Sequence, residues 1–542
     1  MRTASITAFA IIVVTTMGCA RAAAPDTVIV NAKVFTSNPA QPWAQAIAIS
    51  GDRIVAVGDT NTVAALAGAS TRRIDAGGRT IVPGFNDAHT HITIGPPFDQ
   101  LTLPMDPTIE QIAAALKAQV KTSAPGRLIR GDFSETAWSN PGFNREWLDA
   151  IAPEHPVWLT AFTGHGLLIN TPAMTLFAAD RMMPDVEGGV SRRDDRGRLN
   201  GRFEEYAQSL LQRKLATLAD PAEAVRLYRA YAAEARTFGI TTTQLLGDSL
   251  PAVDASRALV AADVPMRWRY FRFPIVMNGE TLDSRPPLPP QPGATIDMRG
   301  MKWILDGTPI ERWGFMREPY TDAPAEKGRL NLPQSRIDRF VGWAYGSEDP
   351  LAVHAFGDAA IDAYVAAIEK GGLAEVWKAK RPRIEHSDML SPDLIPRVKK
   401  ANLLIVQNPT HFMFPELFLA RYGKERLSWM QPMKSLLAAG IPLAIGSDGP
   451  MNPFLNIMAA TTHPSNPKEA LTREQAVSAY TTGSAFAEFK EKDKGQIAVG
   501  MLADLAVLSA DVFTVPVEQM EAIRSVMTIF GGKIVHENGT IH

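Results

Sequence analysis

Eight strand-like runs recur through the middle of this chain, with helical stretches between most of them. The first four are IVPGFNDAHTH (from Ile81), TTTQLLGD (Thr241), MRWRYFRFPI (Met266) and GMKWILDG (Gly300). PLAVHAFGD (Pro350), RPRIEHSD (Arg381), NLLIVQNP (Asn402) and PLAIGSDGP (Pro442) follow. A β–α unit repeated with right-handed crossovers implies a parallel sheet. Eight such units favour closure into a (β/α)₈ barrel. An open, doubly wound sheet is the alternative, but it gives no reason for ionisable residues to recur at the ends of the runs.

The two ends of the chain read differently. TVIVNAKVFT near the start, and ADLAVLSA with SVMTIFGGKIVHENGTI near the finish, are β-rich and punctuated by turn residues. Two β-rich ends around an α/β middle suggest a small β-sandwich built from both chain ends. The expected division is a leader over 1–24, sandwich segments over 25–80 and 491–542, and a barrel over 81–490. A long insertion over 95–239 follows the first run and holds Trp138, Trp147, Trp158 and His165. Leaving from the carboxyl side of a barrel strand, it forms a cap. Ser191 to Arg198 reads as a solvated turn, and Arg285 to Gly293 as a stiff Pro-rich connector.

Arg2, the apolar ITAFAIIVVTTM and the small residues GCARAAA have the layout of a secretory signal peptide. That predicts a periplasmic or secreted protein. The single cysteine, Cys19, falls inside this leader. The mature chain therefore has no disulfide, thiolate nucleophile or Cys-ligated zinc. Met17-Gly18-Cys19 also resembles a lipoprotein cleavage site, so membrane attachment is expected only through lipidation at Cys19. A net charge of −2 over 542 residues gives no electrostatic case for nucleic acid.

The chemistry sits at the run ends. His89 and His91 close the first run, and strand alternation puts them on one face. Two imidazoles so placed can hold one metal ion. Lys302 lies in the fourth run, His354 in the fifth, His386 in the sixth and Asp448 in the eighth. A parallel barrel opens all its strand carboxyl ends on one face, so these residues converge. Singly, each has a plainer reading: a satisfied core histidine, a helix-capping aspartate, a snorkelling lysine. Together, in consecutive register, they read as a metal centre.

The order H-x-H, Lys, His, His, Asp on successive strands resembles the amidohydrolase superfamily. GFNDAHTH, GMKWILDG, VHAFGDAAID, RIEHSD, AIGSDGP and the terminal GQIAVGMLADLAVL are similar to the branch that includes N-substituted formamide deformylases. The resemblance covers nearly the whole chain after the leader. It implies two divalent ions, one on His89, His91 and Asp448 and one on His354 and His386, a donor set that suits Zn²⁺. A lysine ammonium cannot coordinate, so the resemblance also implies that Lys302 is N6-carboxylated and bridges the ions. A one-ion variant, with His386 polarising or relaying, is the alternative. Two ions would lower the pKa of a bridging water and polarise the scissile carbonyl. Asp448 would take the proton and pass it to the leaving amine.

The expected reaction is cleavage of the C–N bond in a linear amide, a formamide or N-acyl amine with an apolar or aromatic body. Hydrolysis of an ester, lactone or cyclic amide on the same site is one alternative; non-catalytic binding of a metal or ligand is another. Trp138, His165, Gln407 and His411 are candidate substrate contacts, with Phe412, Met413 and Phe414 near the seventh run as further apolar surface. Glu204 and Glu205 read equally as helix surface. The expected partner is a small-molecule amide, and a homodimer is left open.

Overall fold

The computed structural model describes residues 23–541 except 178, 180–185, 248, 275–287 and 292. Residues 1–22 of the expected leader, Cys19 included, lie outside the described residues, as does part of the Pro-rich connector.

Each of the eight runs contributes one strand to a parallel ring. These are β1 (Phe85–Thr90), β2 (Ile240–Gly247), β3 (Arg267–Arg272), β4 (Met301–Ile304), β5 (Leu351–Ala355), β6 (Arg383–His386), β7 (Leu404–Gln407) and β8 (Leu443–Ile445). Neighbours in sequence are neighbours in the sheet, from β1 through to β8. Almost every strand residue is buried, because helices cover the outside while side chains fill the inside. The helix Asp358–Lys370 shows how that cover is written. Ile361, Tyr364, Val365 and Ile368 recur at helical spacing and are buried, which gives it one apolar face. The ring closes between β8 and β1 just beyond the β8 ladder. Asp448 N–H donates to the His89 carbonyl at 2.9 Å, and Ser447 N–H donates to the Asp87 carboxylate at 2.8 Å.

The first run is split. Its leading part, Thr80–Pro83, belongs to another sheet, and only the part after Gly84 enters the barrel. A Cβ on Gly84 would lie 2.4 Å from Thr241 Oγ1, so the crossing from one sheet to the other needs glycine. The sheet that Thr80–Pro83 joins mixes both chain ends. It runs Lys533–Glu537, Ser525–Phe530, Leu505–Leu508, Thr80–Pro83, Lys33–Phe35, Trp43–Ala44. A second sheet, Arg53–Gly58, Ala46–Ser50, Thr27–Val30, Arg72–Asp75, packs on it through Ile29, Ile47, Ile49, Ile81, Leu505 and Ile529.

The insertion after β1 builds its own six-stranded sheet, from Asp99–Gln100 to Leu199–Glu205, with a separate apolar core. Trp138 is part of that core. It stacks on Phe133, meets Trp313 edge-on and lies under Arg202. Trp158 is buried against Phe177. Both tryptophans pack the cap. Glu204 and Glu205 are buried at the end of a cap strand, which corrects the helix-surface reading.

Candidate metal centre

His89 sits at the end of β1 and His91 one residue beyond the strand, and alternation brings their Nε2 atoms to 3.3 Å. Asp448, just past β8, places Oδ1 3.6 Å from each of them. Its Oδ2 is 3.7 Å from His386 Nδ1. His89, His386 and Asp448 bring ligand atoms within 4.8 Å of one another, the spread a single ion can span. The rings of His354 and His386 are 4.4 Å apart, and His354 Nε2 is buried without a hydrogen-bond partner among the described residues. Lys302 is buried on β4, and its charge acts on His89, His354 and His386 alike.

The protonation states are those that metal ligation needs. Burial lowers the His89 imidazole to about 4, against the pull of Asp448 and Glu385. Burial also holds His354 and His386 well below the ordinary imidazole range, helped by neighbouring imidazoles. Asp448 goes the other way: burial alone would raise it, but His89, His411 and His386 hold it well below the usual carboxylate range. Burial thus favours the neutral rings of His89, His354 and His386, and the surrounding histidines favour the ionised form of Asp448.

Two further histidines approach it. His165 reaches in from the cap, its ring 4.7 Å from that of His354. Its Nδ1 is held 3.0 Å from the buried Glu205 carboxylate, which also accepts from Asn331 Nδ2 at 2.9 Å. Burial disfavours its cation, but Glu205 outweighs that and raises its pKa. His411, after β7, lies between Asp388 Oδ2 (3.4 Å) and Asp448 Oδ2 (3.5 Å). These two carboxylates overcome its burial and push it up to about 10. It is thus a cation that braces Asp448.

Gln407 shares its strand face with Ile405 and lies opposite Ile445, in the layer under the helices. The residue that reaches the centre is the next one, Asn408. Its Oδ1 lies 2.8 Å from His386 Nδ1, and its Nδ2 donates to the Gly446 carbonyl at 3.0 Å. Phe412 is buried and stacked on His463. Phe162 of the cap, which is exposed, meets the half-buried Phe414 after β7, their ring centroids 6.0 Å apart. The sequence reading also missed three carboxylates. Glu385 accepts from His89 Nδ1 at 2.6 Å, and Asp388 sits beside His411. Asp306 accepts the backbone N–H groups of Phe315, Phe356 and Gly357 and reaches within 3.7 Å of His354 Nε2. RIEHSD advertises the first two, since acids flanking a ligand histidine are placed to orient imidazoles.

A (β/α)₈ barrel with this cluster of imidazoles and carboxylate at its open end defines a metal-dependent hydrolase. The sequence profile of the amidohydrolase family matches residues 72–536, and the chain belongs to that family. It is 28% identical to YtcJ of Bacillus subtilis (strain 168) over 492 residues, covering 86% of this chain and 91% of that one. It is 25% identical to the N-substituted formamide deformylase of Arthrobacter pascens over 547 residues, covering 94% and 98%. Among solved structures it superposes with a TM-score of 0.69 on an uncharacterized metal-dependent hydrolase from Pyrococcus horikoshii OT3, at 20% identity over 91% of this chain and 99% of that one.

Proposed function

We propose that the protein hydrolyses the C–N bond of a linear amide, a formamide or N-acyl amine with an apolar or aromatic body, at a two-ion centre. The observation that carries this is the convergence at one barrel mouth of His89, His91, His386 and Asp448, with His354 beside His386 and a buried Lys302 on the neighbouring strand. His89, His91 and Asp448 would hold one ion and His354 and His386 the other. Zn²⁺ suits such nitrogen and carboxylate donors. A carbamate, formed when the Lys302 amine adds CO₂ and loses a proton, would replace a buried cation beside His89, His354 and His386 by an anion able to act as a metal ligand. When bound, the ions supply a water of lowered pKa and polarise the scissile carbonyl.

The chain's own groups do the rest. Asp448 takes the proton of the attacking water and returns it to the leaving amine. His411 keeps that carboxylate in place through Oδ2. His165, steadied by Glu205, offers a hydrogen bond to substrate from the cap side. Phe162, Phe414 and the exposed Met413 give the mouth an apolar wall for the substrate's body. The similarity to a formamide deformylase supports the amide class.

The test combines elemental analysis with a substrate panel. More than one divalent ion per chain is expected after purification with Zn²⁺. N-benzyl formamides and N-acyl benzylamines should give higher kcat/KM than small polar amides, esters or lactones. Asp448→Asn should keep the fold and lower kcat by roughly 10²-fold or more. Lys302→Ala should lose activity and regain part of it with a short carboxylic acid. A metal-free protein removes the reading, and preference for esters or lactones reassigns the substrate.

A further inference from the structure

Beneath the metal centre a chain of polar side chains crosses the barrel interior, where barrels of this kind carry layers of apolar residues. His89 Nδ1–H donates to Glu385 Oε2 at 2.6 Å. Arg383 grips the same carboxylate through Nε and through Nη2, the latter at 2.9 Å. Arg383 Nη2 also donates to the Ala88 carbonyl, and its Nη1 to Gln244 Oε1, both at 2.6 Å. Gln244 Nε2 donates to Asn86 Oδ1 at 3.2 Å, and Asn86 Nδ2 to Glu488 Oε1 at 2.6 Å. Lys494 Nζ ends the chain, 2.6 Å from Glu488 and 2.7 Å from Thr242 Oγ1. All of these side chains are buried. Asn86 and Thr242 stand near the starts of β1 and β2, so the chain spans the barrel from its amino end to the centre at its carboxyl end.

Buried ion pairs contribute little net stability over apolar residues of similar volume, so core cohesion alone is a weak reason for two of them here. Their geometry supplies another. A carboxylate on one ring nitrogen fixes the tautomer and turns the other nitrogen's lone pair outward. We infer that the Arg383–Glu385 pair is the positioning device of His89, and that the chain from Gln244 to Lys494 holds this pair from the far end of the barrel. The inference rests on His89 being an ion ligand, as proposed above.

The experiment uses the full-length protein stripped with a chelator and titrated with Zn²⁺ against a chromophoric competitor. It also records the visible spectrum after loading with Co²⁺. Two near-end variants are compared with the parent: Glu385→Gln, and the paired Arg383→Met with Glu385→Gln, which leaves no buried charge alone. Each should bind Zn²⁺ about 10- to 100-fold more weakly. Each should also shift the cobalt absorption bands, while a cooperative thermal melt of the metal-free protein shows that it is folded. A folded paired variant with the parent's affinity and cobalt spectrum overturns the inference. The far-end pair Glu488→Gln with Lys494→Met should show a smaller loss in the same direction. It decides the matter if the near-end variants do not fold, and parental behaviour there overturns the proposed reach. A parent that binds no metal sinks the proposed function instead.

Discussion

At His386 the backbone enters the left-handed region, with φ at 72°, and Asp448 does the same at 41°. Such a conformation costs a non-glycine residue on the order of 1–3 kcal/mol and persists only where the surroundings enforce it. The gain is directional. Strict alternation would send Glu385 and His386 to opposite faces, whereas the turn lets Glu385 bond His89 while His386 joins the same cluster. This explains what was legible residue by residue. Metal ligation would demand particular side chains at strand ends, which is why the pattern singles out His89, His91, Lys302, His354, His386 and Asp448. Their orienting partners are only partly marked: RIEHSD flags Glu385 and Asp388, but nothing comparable flags Asp306 or Asn408. A one-residue difference in strand register separates Gln407 from Asn408, and nothing in the letters decides between them. His463 offers a residue-scale test away from the centre. Its neutral ring donates Nε2–H to the Gln431 carbonyl and accepts Asn466 N–H at Nδ1, at 3.1 and 3.0 Å. Burial holds its pKa below the ordinary imidazole value. Above roughly pH 6.5 the folded and unfolded rings are both neutral, and the stabilisation is fully present. Below that the unfolded chain takes up a proton that the folded ring refuses, so stability falls with pH. His463→Gln should flatten the slope of melting temperature between about pH 7 and about pH 5. A slope identical to the parent's rejects this account.

At the scale of elements, the cap is pinned to the barrel rim by a compact ionic knot. Glu135, which opens the cap helix Glu135–Trp138, receives Arg312 Nη1 at 2.7 Å and also Arg421. Asp322 receives the same two arginines from the opposite side. Arg312 and Asp322 lie between β4 and β5, and Arg421 belongs to the helix Pro415–Leu427 after β7. Glu135→Ala leaves the buried Arg421 short of a partner and should loosen the cap. Faster amide hydrogen exchange across residues 99–205, a raised KM and unchanged metal content are the expected signs. Exchange as slow as in the parent would show that the apolar contacts of Trp313 and Trp138 suffice. The barrel strands were readable because apolar runs such as LAVHA, LIVQ and LAI, ending next to ionisable or amide residues, are what doubly covered parallel strands require; the polar ITTTQLLG and RWRYFR were placed by the β–α alternation. The cap's internal order was not. Its strands are short and pair out of sequence, with Gly166–Ile169 lying between Val157–Ala161 and Leu199–Glu205. The first run looked like one strand because the residue that divides it, Gly84, reads as an ordinary turn.

For the molecule as a whole, the seam between terminal sheets and barrel turns on Asp504. Its carboxylate accepts from Arg267 at 2.8 and 3.2 Å and from Gly531 N–H at 2.7 Å. Its carbonyl accepts Gly84 N–H at 2.8 Å. One residue thus ties the start of β3, the final hairpin and the crossing into β1. Asp504→Ala strands a nearly buried guanidinium and should cost about 3–5 kcal/mol in denaturant unfolding. A loss under about 1 kcal/mol would mean that apolar packing alone holds the seam. The joining of the two ends was legible from their shared β-rich character, since the strands Leu505–Leu508, Ser525–Phe530 and Lys533–Glu537 need further strands and a second sheet to cover their apolar face.

The same joining governs the order of events as the chain is made. Thr80–Pro83 cannot pair with Leu505–Leu508 until the whole intervening barrel has been made. His89 lies only a few residues further on, at the end of the strand that this pairing anchors. Contacts so remote in sequence form slowly. A chain still lacking Leu505–Leu508 therefore holds His89 and His91 without the pairing that anchors the strand leading to them.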